Sequence, residues 1–318
     1  MRGVGTTLGF RRRLHRWRAF GGYLQHSSAS NAGSHQTPIV NELWKRREEL
    51  GSASSRGVLR EGEREIDFDG NVVVAKDASC SYTSVDYAFS TDGQLVEKYS
   101  NPWGHVRVGR MLEDLDALAG TIAFAHCSSP SDRLCESLHI VTASVDRVKY
   151  LHRADTRDDI RLSGRVGWVG NSSLEIDMQA TSSWTKEPWL NATFTFVARD
   201  RATGKAATVN RLVCKTDEER GRFGASEKKV ARRKQGGKDA KGASKEGECE
   251  EQTRAVDALM SEAALLRSMP ALAPPQSILL EQTKLQNALI TQPQQINTAG
   301  RIFGGFLMRR AFELSFAT

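Results

Sequence analysis

The sequence predicts an α+β domain in which an antiparallel sheet wraps one long helix. Val106–Cys127 carries Met111, Leu115, Leu118 and Ile122 at helical spacing, with no proline among them. After it the period changes, and four segments rich in β-branched and aromatic residues follow one another between turn signals. Hydrophobic residues make up 39% of the 318, which suits a globular chain with room for two domains of ordinary size.

In chain order, residues 1–41 read as a leader. They hold six arginines (Arg2, Arg11, Arg12, Arg13, Arg16 and Arg18) and no Asp or Glu, with Leu8, Phe10, Leu14, Trp17 and Phe20 interspersed. Such a cationic amphipathic segment is drawn to an anionic membrane and a negative-inside potential, as mitochondrial presequences are. The mitochondrial matrix is the expected destination, ahead of the plastid, whose transit peptides are also acid-poor. Residues 42–81 form an N-terminal extension, mixed and weakly periodic. Beyond them Tyr82, Val85, Tyr87 and Phe89 precede a turn signal at Thr91-Asp92-Gly93.

The helix expected over Val106–Cys127 has one greasy face and, opposite, Glu113, Asp116, Gly120 and Ala123. A sheet wrapped around it buries much of its surface, so a carboxylate in its middle needs a reason. Strands follow at Leu138–Val148, Ile160–Val169, Leu174–Thr181 and Ala192–Val197, completing a first domain over 82–214. Residues 215–272 read as a charged, solvated linker. From Lys215 to Arg254 it holds 12 basic and 9 acidic residues and almost no large apolar ones, with helix expected at its start and over Ala255–Met269. In residues 273–318, Leu279–Ile290 reads as new β structure and Ile302–Phe316 as the start of another helix.

Composition also excludes some classes of function. Subtracting the leader's six arginines from the net charge of +7 leaves +1, and no basic stripe with interleaved aromatics remains, so nucleic acid is not an expected partner. The run Ala117–Ala125 falls short of the roughly 20 residues that cross a bilayer, so no transmembrane segment is expected. Cys80, Cys127, Cys135, Cys214 and Cys249 form no Cys-x-x-Cys pair and no zinc spacing with the histidines, and read as inert thiols.

Several segments together resemble the mitochondrial acyl-CoA thioesterases built from two hotdog domains. They are Tyr99-Ser-Asn-Pro-Trp-Gly104, Val106-Arg-Val-Gly-Arg-Met-Leu-Glu-Asp-Leu-Asp116-Ala-Leu-Ala-Gly120, Ile140-Val-Thr-Ala-Ser-Val-Asp146, Gly164-Arg-Val-Gly-Trp-Val-Gly-Asn-Ser-Ser-Leu-Glu-Ile176, Phe196-Val-Ala-Arg-Asp200 and Gly300-Arg-Ile-Phe-Gly-Gly-Phe-Leu-Met308-Arg309-Arg310. The likeness covers about Tyr82–Val213 and Leu279–Thr318, so the second hotdog is expected to be cut short. The resemblance implies an active site shared between two hotdogs. One half is an Asp on the central helix of the first, which falls on Asp116. The other is an Asn just before the Gly-Gly of the second, which falls on Asn297 ahead of Gly304 and Gly305. Laying Gly109 on Gly304 and Leu112 on Leu307 puts Ala311 opposite Asp116 and Pro102 opposite Asn297, so each copy keeps one half of the pair, with Asn101 beside the vacant Asn position.

The implied chemistry is hydrolysis of fatty acyl-CoA without metal or redox cofactor, by a homo-oligomer assembled through hotdog contacts. No Gly-x-Ser-x-Gly nucleophile elbow is present. Asp116 would act as general base or attack directly, Gly304 and Gly305 would offer backbone amides to the carbonyl, and Asn297 would orient water or bind the thioester oxygen. Glu113 and Asp114 would support or face solvent, and His126 and Cys127 would pack or cap the helix end. Taken singly, Asp116 reads as a solvent-facing helix residue, Asn297 as a turn residue and Gly304-Gly305 as a packing feature. The phosphates of CoA need cations, and spacing singles out none of the many Lys and Arg. Two rivals stand: a hotdog dehydratase or hydratase, which needs a His beside the carboxylate, and a non-catalytic or truncated module acting through oligomerisation. The early end of the second hotdog leads to the expectation that the 318-residue chain by itself is a poor thioesterase.

Overall fold

A helix with apolar residues on one side and carboxylates on the other can be enclosed only if both sides find partners. The computed structural model describes residues 37–54, 63–68, 71–128, 138–242, 247–276, 278, 280–297 and 300–317. In chain order its elements are helix α1 (Pro38–Ser54), strands β1 (Glu63–Phe68), β2 (Asn71–Asp77) and β3 (Thr83–Tyr87), and helices α2 (Gly93–Tyr99) and α3 (Val108–Cys127). Strands β4 (Leu138–Tyr150), β5 (Ile160–Val169), β6 (Ser173–Ser182), β7 (Pro188–Asp200) and β8 (Arg211–Val213) follow, then helices α4 (Asp217–Gly242), α5 (Gly247–Ser268) and α6 (Gly304–Ala317).

The main sheet has the order β3-β5-β6-β7-β4 and is antiparallel throughout. Its concave face closes on the apolar side of α3, where Leu115, Leu118 and Ile122 are fully buried with Leu162, Ile176 and Phe194. Register shifts between Thr142 and Ser144, Val145 and Arg147, and Val166 and Trp168 mark bulges of the kind that bend a sheet. Gly164 permits close approach: a Cβ there would lie 2.6 Å from Met178 Cγ and 2.9 Å from Ile122 Cδ1. A helix wrapped by an antiparallel sheet in this strand order is the α+β hotdog architecture that the sequence predicts. A smaller sheet, β1-β2-β8, is antiparallel between β1 and β2 and parallel between β2 and β8.

Several expectations change. Thr37–Asn41, assigned to the leader from sequence, belong to the fold. Thr37 Oγ1 accepts the Val40 N–H at 3.0 Å and Pro38 opens the first turn, a helix start that the composition of the leader hides. The remaining leader residues, 1–36, lie outside the described residues. The turn signal at Thr91-Asp92-Gly93 is the N-cap of α2, with Asp92 Oδ1 accepting the Gln94 and Leu95 N–H groups at 3.0 Å each.

The charged linker is helical over most of its described length, and α4 docks on the sheet rather than standing in solvent. Lys229 Nζ reaches Asp146 at 3.0 Å and Glu175 at 3.2 Å, Arg233 reaches Asp146 at 3.0 Å, and Phe223 packs on Trp168. Within Leu279–Ile290 the described residues form a 3-10 turn at Leu280–Thr283 and then irregular chain, not the expected β structure. The side chains described there are exposed, and among the described residues no neighbouring strand offers a ladder.

Asp114 fixes the position of α3. It is fully buried and accepts hydrogen bonds from Thr37 Oγ1 before α1, from Tyr87 Oη on β3 at 2.8 Å and from Tyr99 Oη on α2 at 2.5 Å. Burial pushes its carboxyl up from 3.8 to about 7, and the three hydroxyl donors only partly oppose this. A carboxyl with a raised folded pKa binds its proton more tightly in the folded state. Its stabilising contribution is therefore full below pH 3.8 and is lost as pH rises through about 7. The melting temperature of the native chain, measured relative to Asp114→Asn, should fall between pH 4 and pH 8. A difference that stays constant across that range would show that Asp114 does not titrate there.

Candidate active site

Asp116 sits two residues beyond this anchor, on the same central turns of α3, and is 6% exposed. Its Oδ2 accepts the backbone N–H of Gly305 at 2.7 Å and its Oδ1 accepts the Thr142 hydroxyl at 3.0 Å. Burial raises its pKa above the usual carboxylate value, with the Gly305 amide and the Thr142 hydroxyl working the other way. Both donors are neutral, so the carboxylate is oriented without being consumed by an ion pair.

The Gly305 amide can come so close because α6 crosses α3 through glycine. A Cβ on Gly304 would lie 2.9 Å from Asp116 Oδ2, and one on Gly305 would lie 2.7 Å from the Glu113 Cα. Gly109 faces Arg309 and Glu313 while Gly305 faces Glu113, so the two helices run antiparallel. Ion pairs clamp the crossing: Glu113 receives Arg110 at 2.9 Å and Arg309 at 3.2 Å, and Arg107 reaches Glu313 at 2.5 Å. Glu113 is buried, which raises its pKa, and Arg309 and Arg110 oppose that shift.

Asn297 lies in the turn that delivers α6. Its N–H donates to the Arg301 carbonyl at 2.6 Å, its Oδ1 accepts the Arg301 N–H at 3.1 Å, and Gly300 takes a positive φ of 72°. Ile296 and Ile302 bridge across the turn, and Phe303, buried just before Gly304, meets Trp44 of α1 edge to face with ring centroids 5.6 Å apart. The structure thus brings Asp116, Gly304 and Gly305 into contact and sets Asn297 in a turn seven residues before Gly304. Thr142 and Trp44 were not singled out from sequence. Thr142 could have been, as a polar residue on an inward position of a strand beginning Leu138-His-Ile140. His126 Nε2 lies 3.0 Å from the Asn210 carbonyl at the far end of α3, and burial holds its pKa down to about 4.

A cleft of about 1390 Å³ opens away from Asp116, between the start of α3, strand β4 and the far half of α6. Its lining includes Pro102, Gly109 and Ala311, the residues that the internal overlay sets opposite Asn297, Gly304 and Asp116, with Asn101 beside Pro102. At the Asp-equivalent position the cleft has only a methyl group, Ala311, and the nearby Glu313 is paired with Arg107. Under that overlay, only the end carrying Asp116 has a carboxylate at that position. Among the described residues no group of three or more His, Cys, Asp or Glu is arranged to hold a metal ion, and no helix is long and apolar enough to cross a membrane.

Comparison with known proteins bears on the same segments. The family model described as Thioesterase superfamily matches residues 104–186, which contain α3, β4, β5 and β6. Acyl-coenzyme A thioesterase 2, chloroplastic, of Humulus lupulus is 42% identical over 90% of this chain and 64% of its own length. Acyl-coenzyme A thioesterase 4, mitochondrial, of the same plant is 41% identical over 90% of this chain and 54% of its own. Human acyl-coenzyme A thioesterase 9, mitochondrial, is 35% identical over 75% of this chain and 55% of its own. The chain thus spans between half and two thirds of the length of these relatives. Among solved structures, an acyl-CoA hydrolase from Staphylococcus aureus is 22% identical over 59% of this chain and 98% of its own, with a TM-score of 0.42. By the family model over residues 104–186 and by these relatives, the chain is similar to the thioesterase superfamily.

Proposed function

We propose that this chain hydrolyses the thioester of fatty acyl-CoA to free acid and CoA, at the crossing of α3 and α6. The observation that carries the proposal is the hydrogen bond from the Gly305 amide to the buried Asp116 carboxylate, which joins a potential base to the start of a helix. A thioester carbonyl entering there would meet the Gly304 end of α6, at the positive end of the helix dipole, where an oxyanion is stabilised, while the Gly305 amide stays on Asp116. Asp116 takes a proton from water as the water oxygen attacks the carbonyl carbon. The C–S bond then breaks and the CoA thiolate leaves, to be protonated in turn. Thr142 keeps the carboxylate aimed, and Asn297, in the turn that presents Gly304, is assigned to orient the attacking water.

The dehydratase reading needs a His beside the carboxylate. Among the described residues Asp116 is bonded to Gly305 and Thr142 and to no histidine, which favours hydrolysis. For the organelle we propose the mitochondrial matrix. It is supported by the Arg-rich, acid-free leader and by mitochondrial relatives, with the chloroplastic relative leaving the plastid as the second choice. Assembly with a further hotdog is supported by the edge position of β4 and by the exposed side chains of Val145, Tyr150, Phe312 and Phe316. The domain plan that goes with this reading is a first hotdog over 82–214 and the beginning of a second within 273–318, joined by the helical segment between.

Free-thiol release from a fatty acyl-CoA tests the assignment. Asp116→Asn should lower turnover by about 10²–10⁴-fold while leaving the melting temperature near that of the native chain. Because burial raises the Asp116 pKa, the acid limb of the native rate profile should lie above pH 3.8, with rate rising as the carboxyl ionises. Undiminished turnover in Asp116→Asn, or an acid limb at the ordinary carboxylate value, would refute the role given to Asp116. In Gly305→Ala the new methyl must displace the Glu113 backbone. This should cost about 1–3 kcal/mol of stability and most of the activity, because the amide moves off the carboxylate. Full activity in that variant would place the reacting carbonyl elsewhere.

A further inference from the structure

Helix α1 lies outside both the 82–214 segment read as the first hotdog and the 104–186 family match, yet it reaches the start of α6. Several contacts fix it on the first domain. Thr37 Oγ1 donates to Asp114, the Leu43 carbonyl accepts the Thr121 hydroxyl at 3.3 Å, and Arg46 Nη1 donates to the Ser84 carbonyl at 2.7 Å. Ile39, Val40 and Leu43 are buried in the core. With the helix held in this way, Trp44 is half-buried and meets the Phe303 ring edge to face, at an interplanar angle of 79° and a centroid distance of 5.6 Å. Such pairs are favourable beyond the area they bury, because the positive edge of one ring meets the negative face of the other. Phe303 is itself 4% exposed and folds back on α6. The space where a Gly305 side chain would stand is filled by the Glu113 backbone and by the tip of the Phe303 ring: a Cβ there would lie 2.7 Å from Glu113 Cα and 2.8 Å from Phe303 Cζ. The ring thus touches Trp44 on one side and Gly305 at its tip, and the Gly305 N–H in turn donates to Asp116 at 2.7 Å.

We propose that Trp44 is a positioning residue of the hydrolytic site: acting through the Phe303 ring, it holds the Gly305 amide on Asp116. The inference rests on the hydrolytic reading above and extends the site to α1, an element outside the hotdog. Trp44 acts on the reaction only through Phe303 and Gly305. Its importance follows from the tolerance of the site, since a displacement of about 1 Å at reacting groups costs on the order of a hundred-fold in rate. One turn further along α6, Arg309 reaches Glu113 at 3.2 Å. That pair joins two long side chains with many rotamers, so it ties the helices together while still allowing a small shift. A ring packed against a glycine backbone allows much less. The anchors of α1 at Thr37, Leu43 and Arg46 do not involve the Trp44 side chain, so removing the indole takes away the contact with Phe303 and leaves the helix attached.

Amide hydrogen exchange, read by NMR at Gly305, tests the contact chain without turnover. Trp44→Ala should speed Gly305 exchange about ten-fold or more and leave the amides of β5 and β6 near their native rates. Phe303→Leu should do the same from the other side of the contact, and the double variant should add little to either single one, because all three remove one interaction. Trp44→Phe keeps a ring edge for Phe303 and should recover most of the protection. In free-thiol release, Trp44→Ala should lower kcat roughly ten- to a hundred-fold with KM near native, and Trp44→Phe should restore most of it. Unchanged Gly305 exchange in Trp44→Ala would overturn the proposal. So would an equal rise across β5 and β6, which would make Trp44 a residue of the fold alone, and so would native kcat despite lost Gly305 protection. If Gly305 exchange responds as stated but the native chain cleaves no thioester, the contact chain from Trp44 to Gly305 stands and the hydrolytic reading falls.

Discussion

Three carboxylates, Glu113, Asp114 and Asp116, are buried within little more than one turn of a single helix. An ionised carboxylate removed from water is costly unless its oxygens are satisfied, so each must recruit its own partners from elsewhere in the chain. Asp114 recruits Thr37, Tyr87 and Tyr99, which brings α1, α2 and β3 onto the helix. Glu113 recruits Arg110 and Arg309, which brings α6. Asp116 recruits a backbone amide and a hydroxyl. The surroundings of α3 are in this sense the solvation shell of three carboxyl groups, and the solutions differ in chemical consequence. A carboxylate locked by three hydroxyls or two guanidinium groups is spent on architecture. One held by two neutral donors keeps lone pairs for a reaction.

The central helix, the strand succession and the resumption of helix near the end were legible because each writes its period into the sequence. Apolar residues recur at Met111, Leu115, Leu118 and Ile122, and β-branched runs are broken by Gly170-Asn171 and Thr203-Gly204. The start of α1 was not legible, because Thr37 and Pro38 follow a long basic leader whose composition dominates any window drawn across them. The docking of α4 was missed for a related reason. Lys229 and Arg233 look like solvent-facing charges until Asp146 and Glu175, on two different strands, are known to lie beneath them. Strand character was overread within 279–290, where a run of Leu and Ile carries the propensity but the described residues provide no neighbour to pair with.

The candidate site divides along the same line. Asp116, Gly304 and Gly305 could be named only through the resemblance of their segments to the two-hotdog family, since taken singly they read as a solvent-facing acid and a packing pair. Thr142 is an ordinary residue for a strand, and Trp44 lies in a segment without clear periodicity, so only the folded arrangement reveals that both border the crossing. The glycine pair also acquires a physical account that sequence could not supply. With any side chain at 304 or 305, α6 would collide with Asp116 or with the Glu113 backbone, and the amide would lose its partner.

The hydrogen bond between Asp116 and Gly305 joins residues 189 positions apart. The entropy of closing so long a loop rises only logarithmically with length, about 0.6 kcal/mol per doubling, so the cost at equilibrium is modest. Time is affected more than energy, since contacts distant in sequence form slowly and late. The sheet can close over α3 while the groove beside Asp116 still stands empty, and α6 arrives at a surface already built. Until it docks, Asp116 lacks its amide partner. In the hydrolytic reading, a chain still emerging or still threading through a membrane therefore passes among acyl thioesters without cleaving them, and competence arrives as the closing event of folding.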